Sequence, residues 1–318
     1  MTVMIELVGD QPLPNFLAVK HFQDDIDQVL LVYTDEKKEE KRKLEDVLTK
    51  TLHVKVEKVE TQAHDVSTII QRLREKLNAL HIGPQQQPVF NLTGGTKAMS
   101  LAATRVAQEL NAGMMYIASQ NRDVHIYHLE WRNNELAPAG DEKILPCITL
   151  KDVFDMHLGW LSNEQRNWEI YGPSKDKKGG GPFEELVAGT LQRHRDLVDE
   201  VVSRVITLNR QIEIDIAIRL GNHYGIIEAK SGENKKLKAV KQLSMAWPLL
   251  STYARPFHVM TIPTPDDHKP LKDALGITSI SLLSYDKEKN TISADDEIEL
   301  MTRIEHAFEV PGVFSPYD

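Results

Sequence analysis

Residues 3 to 129 alternate between short apolar runs and segments of helical period, and few folds tolerate that order. Val3 to Val8, Val29 to Tyr33, the stretch around Val54, Val56 and Val59, Val89 to Leu92 and Met114 to Ala118 read as strands. Between them lie Phe16 to Phe22, Glu36 to Lys50, Val66 to Leu80 and Gly95 to Leu110. The helical spacing is clearest at Ile69, Ile70, Leu73 and Leu77. Strands alternating with helices imply right-handed crossovers and a mostly parallel sheet. Ligands of such sheets bind beyond the carboxyl ends of the strands. Three of those ends are unusual here: Gly9 to Asn15, Thr34-Asp35, and Thr93-Gly94-Gly95-Thr96-Lys97. The last combines glycines that admit close backbone approach, two hydroxyls and a lysine at a helix start, a cradle suited to an anion. It lacks the spacing of a Walker loop. An alternating run, Val124 to Leu129, precedes a stretch from Glu130 to Pro146 that reads as an edge hairpin or loop.

The second half is organised around Gln211 to Lys230, QIEIDIAIRLGNHYGIIEAK. Two strand-like runs flank Gly221-Asn222. In the first, Ile212, Ile214, Ile216 and Ile218 alternate with Glu213, Asp215 and Ala217. In the second, Glu228 and Lys230 are two apart and share a face. Paired as a hairpin, the runs bring Asp215 to that face. Two carboxylates and an ammonium at a sheet end suit a divalent cation and phosphodiester hydrolysis. An isolated Glu-x-Lys is more often a solvated strand end, but the apolar Gly225-Ile226-Ile227 run suits a buried strand, where charges are seldom incidental. The segment before it, Ser162 to Gly181, is polar, with Lys175, Lys177, Lys178 and three successive glycines, and reads as a mobile loop or linker. Lys235, Lys236, Lys238 and Lys241 follow the hairpin on an expected helix whose placement favours phosphate contact.

Composition narrows the classes. The chain has 318 residues, enough for two cores, with 41% hydrophobic and 27% charged residues. A single cysteine, Cys147, excludes an intrachain disulfide framework and fits a reducing compartment. No apolar run reaches membrane-spanning length, and the N-terminus lacks the basic region of a secretion signal, so a cytoplasmic location with no membrane partner is expected. A net charge of -9 argues against broad electrostatic coating of nucleic acid and leaves room for local basic patches. His125 and His128 are three apart on a strand and face opposite sides, and no zinc spacing is present.

Two resemblances sharpen these readings. Asp215, twelve intervening residues, then Glu228-Ala229-Lys230 is similar to the PD-(D/E)xK nuclease superfamily, as is the upstream Pro182-Phe183-Glu184-Glu185. The Leu92-Thr93-Gly94-Gly95-Thr96-Lys97 stretch with Pro12-Leu13-Pro14-Asn15 resembles a CARF domain, the CRISPR-associated Rossmann fold, over about residues 1–145. The whole resembles the single-chain CARF–nuclease effectors of type III CRISPR defence. The expected fold is therefore α/β: a Rossmann-like CARF domain with a mostly parallel sheet at 1–145, a linker region at 146–181, and a restriction-endonuclease-like domain with a mixed sheet at 182–318.

The resemblance implies that Asp10, Gln11, Pro12, Asn15 and Thr34 line a cyclic-oligoadenylate pocket with Thr93, Gly94, Gly95, Thr96 and Lys97. It implies a homodimer, cyclic tetra-adenylate as activator, and DNA and/or RNA as substrate. Asp215, Glu228 and the Ala229 carbonyl would hold Mg2+ or Mn2+. Lys230 would assist the attacking water, Glu184 (or Glu185) would support the metal, and Gln242 would stand behind them. Two other readings use the same residues: a ligand-binding regulator with a non-catalytic nuclease-like domain, or a first domain that itself cleaves the cyclic nucleotide.

Overall fold

The computed structural model describes residues 2–120, 122–161, 164–172, 181–232, 242–250, 254–263 and 275–309. They form two units, divided between Ile148 and Thr149.

In the first unit β1 (Thr2–Leu7), β2 (Ile26–Thr34), β3 (Lys55–Thr61), β4 (Val89–Asn91) and β5 (Gly113–Gln120) are parallel. β6 (Asp123–Arg132) and β7 (Glu135–Ile144) extend the sheet antiparallel, giving the order β3-β2-β1-β4-β5-β6-β7. The helices are α1 (Leu13–His21), α2 (Lys38–Lys50), α3 (Val66–Ala79) and α4 (Lys97–Leu110). Ile5, Leu7, Leu30, Val32 and Phe90 pack under Ile69, Leu73 and Leu77 of α3 and Met99, Ala103 and Val106 of α4. Because β1 lies between β2 and β4, the loops after β1 and β4 leave the sheet side by side. That is the switch point where open α/β sheets take ligands.

Two local expectations change. The helix expected from Phe16 begins at Leu13, with Pro12 as its cap, so Pro14 and Asn15 belong to its first turn. Proline is favoured there because its missing N–H would have had no helical partner. The edge hairpin is longer than Glu130 to Pro146 and starts at Asp123. It turns at Asn133 and Asn134, both at positive φ, as tight hairpin turns require.

The second unit contains α5 (Leu150–His157), β8 (Trp168–Ile170), α6 (Gly181–Arg193), β9 (Glu200–Thr207), β10 (Glu213–Leu220), β11 (His223–Lys230), β12 (Arg255–Met260), β13 (Thr278–Ser281) and a closing helix, Ala294–Glu309. Its sheet is mixed, in the order β13-β12-β11-β10-β9-β8. β11, β12 and β13 are parallel and the remaining pairs antiparallel. One face packs on Phe183, Val187 and Leu191 of α6 and Leu300, Ile304 and Phe308 of the closing helix.

Much of the stretch between 146 and 172 is built into this unit. Thr149 caps α5 in a reciprocal box with Asp152. The buried Asp155 accepts both arms of Arg166 at 2.7 and 2.9 Å and the Trp168 indole N–H at 3.1 Å. That clasp ties α5 to β8, which pairs with β9. Lys175, Lys177, Lys178, Gly179 and Gly180, and the Lys235, Lys236, Lys238 and Lys241 cluster, lie outside the described residues. Among the described residues no helix is long and apolar enough to cross a membrane.

Candidate functional site

The β10–β11 hairpin pairs Ile216 with Ile227 and Ala217 with Ile226. Asp215 and Glu228 are the next residues along each strand. There the ladder stops being purely backbone, for Asp215 Oδ2 accepts the Ala229 N–H at 3.1 Å. Since partners across an antiparallel pair share a face, Asp215, Glu228 and Lys230 lie together. Lys230 Nζ stands 2.6 Å from Asp215 Oδ2, 2.7 Å from Glu228 Oε1 and 3.5 Å from Glu184 Oε1. α6 delivers Glu184, while the neighbouring Glu185 is exposed. Of the two adjacent glutamates, Glu184 is the one within reach of Lys230.

Burial governs the electrostatics. Glu228 is 2% exposed and Asp215 6%. Desolvation, then the Asp215 charge, pushes the Glu228 carboxyl up to about 8, against the pull of Lys230. Desolvation also raises Asp215 and Glu184. Burial works to lower Lys230, but the charges of Asp215 and Glu228 outweigh it and raise its pKa. The ammonium keeps its proton, and the crowding of negative charge is relieved at Glu228, the carboxyl that most readily takes up a proton. Displaced titrations of this kind cluster at functional sites and also occur in structural ion-pair networks.

Gln242 lies in a short helical stretch, residues 242–246. It lines a crevice whose wall includes Glu228, and its Oε1 is buried without a hydrogen-bond partner among the described residues. Among the described residues no group of three His, Cys, Asp or Glu side chains is arranged to hold a metal ion. The donor chemistry nevertheless fits a hard divalent cation: two buried carboxylates converge and one ammonium leaves their repulsion only partly relieved.

In the first unit the loops after β1 and β4 touch. A methyl group built on Gly9 would come within 2.9 Å of Gly95 N, and one on Gly94 within 1.9 Å of the Leu7 carbonyl oxygen. Only glycine allows this approach, and Gly95 also sits at φ 72°. Thr93 Oγ1 donates to Asn91 Oδ1 at 2.6 Å and accepts the Ile117 N–H at 2.8 Å. Thr96 caps α4 by accepting the Met99 N–H, and donates to the Ala63 carbonyl at 2.6 Å. Both hydroxyls are therefore committed to building the loop. Lys97, at the first position of α4, is exposed and has no side-chain partner among the described residues.

Asp10 is paired with Lys37, Gln11 is half-buried, and Pro12 is the buried cap of α1. Thr34 is buried at the end of β2. Asn15 points inward, donating to Glu6 and to the Leu7 carbonyl.

That bond reveals residues the sequence reading did not select. Glu6 is fully buried in β1 and accepts from both Asn15 and Asn91, the latter at 2.9 Å. Asn91 in turn accepts from Thr93. Glu6 thus links the first turn of α1 to the end of β4, and desolvation raises its pKa well above the ordinary carboxylate value. The signal was a glutamate inside an otherwise apolar run, Val3-Met4-Ile5-Glu6-Leu7-Val8.

A Rossmann-ordered unit whose β1 and β4 loops meet through glycines, followed by a unit carrying a buried carboxylate–lysine cluster on a mixed sheet, defines a two-part α/β protein. Residues 3–152 match the family described as the Card1 CARF domain, and the first unit is a CARF domain. No match is found among the curated proteins. The fold of the whole chain is shared with Can2 from Sulfobacillus thermosulfidooxidans in complex with cyclic tetra-adenylate. That likeness has a TM-score of 0.72 at 14% identity, covering 97% of this chain and 99% of that one. Protein VC1899 from Vibrio cholerae matches at TM-score 0.68 and 15% identity, over 96% and 98% of the two chains. A type III CRISPR defence DNA nuclease activated by cyclic oligoadenylate matches at TM-score 0.51 and 14% identity, over 83% of this chain and 46% of that one.

Proposed function

We propose that the chain is a metal-dependent nuclease switched on by a cyclic oligoadenylate in type III CRISPR defence, with cyclic tetra-adenylate as the activator. The observation that carries the reading is the buried Asp215–Glu228–Lys230 cluster, in a chain whose first unit is a CARF domain. Can2, which shares the fold end to end, is described with cyclic tetra-adenylate bound, and the DNA nuclease is described as activated by cyclic oligoadenylate.

In this reading Asp215, Glu228 and the Ala229 carbonyl hold Mg2+ or Mn2+. When bound, that cation supplies charge stabilisation and eases deprotonation of water. Lys230 orients the attacking water or offsets charge on the phosphoryl oxygens. The water oxygen bonds to phosphorus, the bond to the leaving ribose oxygen breaks, and that oxygen takes up a proton. Glu184 restrains Lys230, and Gln242 stands at the Glu228 wall. In the first unit the N–H groups at the start of α4, together with Lys97, receive ligand phosphate. A cyclic tetranucleotide has two-fold symmetry, which suits an isologous homodimer with the pocket at its axis.

The test is purified protein with Mg2+ or Mn2+ and a panel of labelled DNA and RNA, with and without each cyclic oligoadenylate. Cleavage that appears only with a cyclic oligoadenylate and is lost in EDTA is expected. Binding without cleavage of any polymer would favour a regulator, and consumption of the cyclic ligand itself would favour a ring nuclease. Light scattering should give a dimer, and a monomer with and without ligand would remove the symmetric pocket.

A further inference from the structure

A cavity of about 150 Å³ opens next to the carboxylate crevice of the second unit. Arg210, Gln211, Ile212, Glu213, Gln242 and Met245 line it. It shares Glu213, Gln242 and Ala246 with the narrow crevice that has Glu228 in its wall. Anything seated in the cavity therefore lies beside the crevice that Glu228 walls.

Its chemistry is not that of a phosphate site. Arg210 and Glu213 offer opposite charges, and Arg204 already engages Glu213 at 3.2 Å. Ile212, Ala246 and the exposed Met245 give apolar walls. The Gln242 amide supplies a donor next to an acceptor, and its buried Oε1 is unpaired among the described residues. An unpaired buried acceptor costs stability unless a ligand satisfies it. A cavity of this volume holds one aromatic ring. A flat ring with adjacent donor and acceptor atoms, flanked by an arginine able to stack, describes a nucleobase presenting its Watson–Crick edge.

The wall is set before any ligand arrives. In the β9–β10 turn Thr207 Oγ1 donates to Asn209 Oδ1 at 2.7 Å, and the same oxygen accepts the Gln211 N–H at 3.1 Å. Asn209 Nδ2 donates to Gln211 Oε1 at 2.9 Å. Arg210 is held between them at φ 54°, and its guanidinium has no partner among the described residues. Such prior ordering spares a ligand the entropic cost of shaping the site.

We infer that this cavity is the subsite for the base of a nucleotide flanking the scissile phosphodiester, that it is sized for a pyrimidine, and that Gln242 reads it. The inference rests on the nuclease reading and adds a sequence preference to it. The test uses the full-length protein with Mn2+, cyclic tetra-adenylate and single-stranded DNA and RNA oligonucleotides of randomised sequence, with product ends mapped by sequencing. Wild type should show pyrimidine enrichment of about fivefold or more at one fixed position beside the cut, in line with a matched pair of hydrogen bonds. Gln242→Leu, which keeps bulk and removes the amide, and Met245→Trp, which fills the cavity from its exposed rim, should each bring the enrichment below about twofold. Circular dichroism and cyclic tetra-adenylate binding monitor folding of both variants. A flat or purine-rich wild-type profile overturns the subsite while the nuclease reading stands. An unchanged profile in both variants overturns it as well. If wild type cleaves nothing under any condition, the nuclease reading falls and the subsite falls with it.

Discussion

Gly94→Ala tests the contact between the β1 and β4 loops, the proposed ligand site, with one methyl group. The added Cβ would lie 1.9 Å from the Leu7 carbonyl oxygen and 3.2 Å from Asn15 Oδ1. Carbon–oxygen contacts settle at about 3.3 Å or more, so the β4 loop must withdraw from β1 by about 1.4 Å. Neither side can yield by a rotamer change, because the opposing atom is backbone of a central strand. Overpacking of this kind costs typically about 1–3 kcal/mol, and the rigid partner places the cost at the upper end. For a unit of this size that lowers the melting temperature by roughly 6–12 °C. The withdrawn loop also carries the start of α4 away from the Gly9 loop, so cyclic tetra-adenylate affinity should fall about tenfold or more, equivalent to about 1.4 kcal/mol. Gly113→Ala is the matched control, since its nearest neighbour would be a Val89 methyl at 3.9 Å, an ordinary contact. Differential scanning fluorimetry with isothermal titration calorimetry measures both effects. A Gly94→Ala protein that melts with wild type and binds as tightly would refute the idea that the two loops are locked together.

Three further outcomes are expected. Asp215→Ala and Glu228→Ala should each abolish ligand-stimulated cleavage while leaving cyclic tetra-adenylate binding intact, and full activity in either would dissolve the metal assignment. Lys97→Ala should shift the activation curve to higher ligand by roughly 10- to 150-fold, the equivalent of about 1.5–3 kcal/mol for a charged hydrogen bond, with cleavage at saturation largely kept. Unchanged ligand affinity would mean the phosphate is received elsewhere. Glu6 makes a pH prediction. Its folded pKa lies above the ordinary value of 4.5, so the folded state holds the extra proton. Its contribution is complete below the unfolded pKa and is lost as pH rises toward the folded one, at up to about 1.4 kcal/mol per pH unit. Glu6→Gln should flatten the alkaline side of the stability profile of the first unit, and denaturant titrations from pH 4 to 9 showing identical slopes would contradict this.

The alternation of apolar runs with helical segments was enough to read the first unit as a mostly parallel α/β sheet, while the mixed sheet of the second was expected from the resemblance carried by Asp215 and Glu228-Ala229-Lys230. Strand and helix periods are local properties, and a parallel order leaves little topological choice. The Asp215, Glu228 and Lys230 trio was legible for the same reason: a period of two and one hairpin turn place all three on one face. Glycines at 94 and 95 announced a close approach, though not its partner.

What depended on contacts distant in sequence stayed hidden. Glu6 looked like an interruption of an apolar strand until Asn15 and Asn91 arrived from either side. The threonines of the β4 loop read as ligand groups, but Ala63 and Ile117 claim their hydroxyls. Residues 146 to 172 read as a connection because their anchor, the Asp155–Arg166–Trp168 clasp, has no periodic signature. That Glu184 and not Glu185 meets Lys230 required the direction in which α6 faces the sheet. Sequence determines periodicity and residue chemistry, whereas burial and the pairing of buried polar groups arise only when separate segments meet, and those decided which side chains remain free to act.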